Sequence, residues 1–79
     1  MKIDGRKARK MTPNQLRFVH EYCYHTLTGK QSASESARKA GYSEKIARKT
    51  AYELTDPNKY PLVAEAIYDL KKELQDKYA

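Results

Sequence analysis

Residues 32–54, reading SASESARKAGYSEKIARKTAYEL, constrain the fold more than any other part of the chain. They describe two short helices joined by a tight turn at Ala40-Gly41-Tyr42-Ser43. Ser32 followed by Glu35 is an S-x-x-E capping box, which opens a helix expected over about 33–40. Gly41 suits the position just past that helix, where φ is positive and a residue with a Cβ is strained. Ser43 is expected to cap the next helix, over about 44–54. Ala33, Ala37 and Ala40 form a small-residue inner face that lets the two helices approach closely. A pair joined this way is the sequence form of a helix-turn-helix, whose second helix lies in the DNA major groove.

The second helix divides at about 100° per residue. Ile46, Ala47, Thr50, Ala51 and Leu54 fall on one side, and Lys45, Arg48, Lys49 and Tyr52 on the other. Arg48 foremost, with Lys45 and Lys49, can bond guanine edges or phosphates. Tyr52 can donate to a phosphate or lie along a sugar. Ser43 is a secondary DNA contact, subordinate to its capping, and Tyr42 is read as a packing residue. Lys30 and Arg38 are weaker candidates for holding the DNA backbone. An ordinary solvated face is the plain alternative. The coincidence of the basic face with the expected recognition helix favours DNA.

Charge follows the same division. The chain has a formal net charge of +6 over 79 residues. Lys2, Arg6, Lys7, Arg9 and Lys10 face one acid, Asp4, in a basic arm expected to be flexible over residues 1–11. Arg6, Lys7, Arg9 and Lys10 are candidates for following phosphates or entering a minor groove, as homeodomain arms do. Residues 55–79 hold one more acid than base. A polyanion is thus the natural partner of the first two thirds of the chain.

The rest of residues 12–79 reads as one all-α, compact four-helix domain. Thr12, Pro13 and Gln15 make a T-x-x-Q capping box with proline at the first helical position. Leu16, Phe18, Val19, Tyr22 and Cys23 then mark a helix over about 13–26 that stops before Gly29. Thr55-Asp56-Pro57-Asn58 breaks the chain. A last helix over 61–78 carries Val63, Ala66, Ile67, Leu70 and Leu74 as its apolar stripe. It lacks a terminal glycine or asparagine, as expected either of a helix cut within a longer one or of one that frays at a natural C-terminus.

Catalytic signals are weak, and neither enzyme activity nor a cofactor is expected. The glycines are isolated, and Gly29-Lys30 precedes Gln31 without phosphate-loop spacing. His20 and His25, five apart, do not share a helix face as a metal pair would, and are read as partly exposed structural residues. Cys23, the one cysteine, is read as a small buried hydrophobe in a reduced setting. No apolar run is long enough for a membrane span.

With these residues in view, the chain resembles the N-terminal domain of bacteriophage terminase small subunits. Met11-Thr12-Pro13-Asn14-Gln15-Leu16-Arg17-Phe18-Val19, then Glu21-Tyr22, is similar to that family's L-T-P-K-Q-x-x-F-V-x-E-Y opening. Ser32 to Ala37 resembles its N-A-T-x-A-A segment, and Ala40-Gly41-Tyr42-Ser43 with Ala47-Arg48 its A-G-Y-S-x-x-x-A-R element. Pro61-Leu62-Val63 and Ala66-Ile67 resemble the P-x-V-x-x-A-I start of its following helix. Ser32 in place of the usual Asn cap, a longer connection before it and the Thr55–Asn58 loop depart from the pattern. The resemblance implies recognition of double-stranded viral DNA at the packaging start site. It also implies delivery to the large terminase subunit, which holds the ATPase and nuclease, in the host cytoplasm. Full-length family members form homo-oligomeric rings, whereas this 79-residue stretch is expected to be monomeric. Two other readings compete: a phage or prophage transcription regulator of helix-turn-helix type, which needs a dimer, and a protein–protein assembly module working through the last helix.

Overall fold

The first helix starts where its cap residues place it. Thr12 has extended backbone, its Oγ1 accepts from the Gln15 N–H at 3.1 Å, and Gln15 Oε1 accepts from the Thr12 N–H at 3.0 Å. Both halves of the capping box are thus formed, with Pro13 opening helix α1, Pro13–Glu21. The computed structural model describes residues 9–78, the last two by backbone alone. Arg9 and Lys10 are already helical, and Met11 is buried in the core. Arg6 and Lys7 lie outside the described residues.

Beyond Glu21 the helix widens into a π-helical turn, Tyr22–Thr26, closed by Leu27 N–H to the Tyr22 carbonyl at 3.0 Å. Thr28 Oγ1 donates to the Tyr24 carbonyl at 2.8 Å, and Gly29, at φ +81°, turns the chain away. The expected helix over 13–26 is therefore present, with a change of type near its end. Phe18 and Val19 are fully buried, and Phe18 packs on Tyr22 at a ring-centroid distance of 5.5 Å.

Helix α2, Ala33–Lys39, forms half of the box expected for it. Ser32 Oγ accepts from the Glu35 N–H at 3.2 Å, while the Glu35 carboxylate is engaged by Arg38. Among its fully buried residues is Ser36, a polar side chain at 0% exposure. Gln31 Nε2 donates to Ser36 Oγ at 2.8 Å, and Thr26 Oγ1 reaches the Ser32 carbonyl at 3.2 Å. Ser36 Oγ and Thr26 Oγ1 lie 2.6 Å apart in a hydrogen bond that either hydroxyl can donate. The chain Gln31, Ser36, Thr26, Ser32 carbonyl pins the start of α2 to the end of the π turn.

The turn after α2 is a Schellman motif: Tyr42 N–H bonds the Ala37 carbonyl and Gly41 N–H the Arg38 carbonyl, both at 3.1 Å. Gly41 has φ +110°. Helix α3, Glu44–Leu54, follows at once. Ser43 stands at its N-cap with extended backbone, but its side chain makes no cap hydrogen bond, which corrects the sequence expectation. The Ile46 N–H is taken instead by Ser43's own carbonyl at 3.1 Å, and the exposed hydroxyl is left to water.

Thr55 Oγ1 closes α3 on the Ala51 and Tyr52 carbonyls, both at 3.0 Å, and Asp56 Oδ1 accepts from the Asn58 N–H at 2.9 Å. Helix α4, Pro61–Tyr78, then returns along the molecule. Its Val63, Ala66 and Leu70 are buried and Ile67 and Leu74 pack beside them, as the periodicity predicts. Helix α1 packs on α2 and α4, and α3 packs chiefly on α2. The described residues are thus an all-α assembly of four helices with no strand.

Candidate nucleic-acid interface

The buried side of α3 is Ala47, Ala51 and Leu54, a narrow line at i, i+4, i+7. The α2 helix, on which α3 chiefly packs, contributes Ala37 and its C-cap Ala40 to the same core, both at 0% exposure. Opposite that line stand Lys45, Arg48, Lys49 and Tyr52, all exposed, with Tyr52 at 76%. The structure thus brings together these four candidates on one open face. None of the three cations forms an ion pair with another described residue. Ser43, exposed in the turn, sits at the start of the same helix.

The sequence-based division of α3 fails at Ile46. Periodicity puts that residue on the inner side, yet it is 46% exposed. It lies about 100° from Ala47 around the helix, and a seam of alanines is too narrow to cover a side chain that far off its axis. One flank of Ile46 borders an open groove of about 500 Å³ shared with Pro13, Tyr42, Thr50 and Tyr60. Tyr42 is half-buried there, as a packing residue should be, and burial pushes its hydroxyl pKa up despite a hydrogen bond with Thr12.

The remaining cations occupy other places. Arg38 is held by Glu35 and reaches Glu44 at 3.4 Å, so its charge is shared with two carboxylates. It still lines, with Arg48, a shallow polar recess between the first turns of α2 and α3. Lys30 is exposed in the α1–α2 connection. Arg9 is exposed, and Lys10 borders a recess with Lys59 and Tyr60 beside the start of α4.

Groups able to do chemistry are otherwise occupied or scattered. Cys23 is 2% exposed, with Sγ 3.6 Å from the Ile67 carbonyl. Burial raises its thiol pKa to about 11, against a smaller lowering effect of Lys71. His20 is half-buried, its Nε2 has no hydrogen-bond partner, and burial lowers its pKa. Among the described residues no group of three or more His, Cys, Asp or Glu is placed to hold a metal, and no helix is long and apolar enough to cross a membrane.

An alanine-packed helix pair with a basic second helix narrows the range of families, and one family model, described as terminase small subunit, matches residues 11–79. The chain belongs to the terminase small subunit family. The match covers all four helices, including the Ser43–Tyr52 segment and the whole of α4. Terminase small subunits serve viral genome packaging as the DNA-binding, regulatory partner of a catalytic large subunit. Searches of curated proteins and of solved structures gave no match.

Proposed function

We propose that this chain is the DNA-binding domain of a phage terminase small subunit, which recognises viral DNA at the packaging initiation site and presents it to the large subunit. The observation that carries this reading is the outer face of α3, where Lys45, Arg48 and Lys49 stand exposed without a carboxylate partner among the described residues. In a helix-turn-helix that face enters the major groove, where an arginine can bond a guanine edge and lysines neutralise phosphates. Tyr52 adds a donor at the groove wall, and Ser43 a hydroxyl that no cap bond occupies. Lys30 and Arg38 hold the flanking backbone. Arg6, Lys7, Arg9 and Lys10 extend the interface along phosphates. The setting is the host cytoplasm, and the full-length protein acts as a homo-oligomeric ring in which weak contacts multiply. The 79-residue chain itself is a monomer.

The test is an NMR titration of the chain with duplex DNA at low salt. Amides of Lys45, Arg48 and Lys49 should shift, and affinity should fall with a log–log salt slope near −4 to −5, as about four to six phosphate contacts require. Unshifted α3 amides would remove the proposal. Footprinting separates packaging from transcriptional regulation, because a regulator would protect two palindromic half-sites.

A further inference from the structure

Ile46 is the residue of α3 that the fold does not account for. It is β-branched, so it adds little to helix propensity, and at 46% exposure it contributes only part of its burial energy. Scattered surface apolar residues are common, and exposure alone would mean nothing. Its position is what distinguishes it. Ile46 is the third residue of α3, next to Lys45 and one turn before Lys49, on the part of a recognition helix that meets base edges. A β-branched residue in a helix holds essentially one χ1 rotamer, so its methyl groups are presented at a fixed place. Tyr42 and Pro13 border it on the groove side and leave the solvent side open.

We propose that Ile46 is a specificity-determining residue that reads a thymine through its C5-methyl group in the major groove. Thymine is the one base offering an apolar group there, and an aliphatic side chain its natural complement. The surrounding cations supply attraction to any duplex, and Ile46 supplies preference among sequences. This assignment rests on the DNA-binding reading above and adds the chemistry of one contact to it.

The experiment selects bound sequences from a randomised duplex pool with the 79-residue chain at low salt. The wild type should enrich thymine at one position, and Ile46→Ala should lose that enrichment with an unchanged salt slope. Deoxyuridine then replaces that thymine, removing only the methyl group. Wild-type affinity should fall about fourfold, the worth of one buried methyl, while Ile46→Ala should not respond. Ile46→Val should retain the preference, and far-UV circular dichroism should show every variant folded. A wild type indifferent to deoxyuridine, or thymine enrichment that persists in Ile46→Ala, overturns the assignment and leaves DNA binding standing. Failure to bind any duplex removes both.

Discussion

A Cβ added at Gly41 would meet Asn14 Oδ1 at 3.0 Å, in a backbone with φ +110° that side chains rarely adopt. Gly41→Ala should therefore destabilise the domain by about 1–2 kcal/mol, read from the urea midpoint. The sequence disclosed the need for positive φ at this position. It could not disclose the second constraint, because Asn14 arrives from another helix. Cys23 carries a prediction in pH. Its folded thiol pKa of about 11 lies above the ordinary 9.0, so the folded state holds the proton more tightly. The stability this contributes is present in full below pH 9 and is lost as pH rises through 11. Chemical denaturation across that window should show a falling stability, and Cys23→Ala should flatten the slope. Alkylation of the thiol at about pH 8 should be slow until the protein unfolds.

The helix caps, alike in sequence, should differ in worth. Thr12→Ala removes the Oγ1 that accepts from the Gln15 N–H, while the backbone N–H of residue 12 can still donate to Gln15 Oε1, and should cost about 1 kcal/mol. Ser43→Ala removes a hydroxyl that caps nothing, so its thermal midpoint should stay close to that of the wild type. Ser36→Ala should be the most damaging of the three, at about 1–3 kcal/mol, because it removes two hydrogen bonds at a fully buried hydroxyl, although Gln31 keeps Glu21 and Thr26 keeps the Ser32 carbonyl. Helix positions were legible here because caps, prolines and periodicity are local signals, and all four helices fall where those signals place them. The π turn, the buried Ser36 and the exposed Ile46 were not. Each depends on how wide a neighbouring helix is at the point of contact, and one helix's periodicity does not contain that. Lys45, Arg48, Lys49 and Tyr52 were legible as a face because the buried line of α3 is so regular.

Along the sequence, positive charge is densest in residues 1–10, and among the described residues Lys45, Arg48 and Lys49 share the outer face of α3. Deleting residues 1–10 should reduce the salt slope by about one for each phosphate that the arm neutralises, without altering sequence preference. Replacing Arg48 by Ala should change the preference itself. Both are read by anisotropy titrations at several salt concentrations. The alanine seam between α2 and α3 decides who must yield when the partners meet. Alanine has no rotamers, so Ala37, Ala40, Ala47 and Ala51 bring no side-chain freedom to spend on adjustment, and Leu54 brings that of one side chain. Repacking of side chains thus offers little means of adjusting the angle at which α3 is presented. In the proposed complex, misfit between α3 and a DNA groove would fall chiefly on the duplex, and easily bent sequences should be bound better at base pairs the protein never touches.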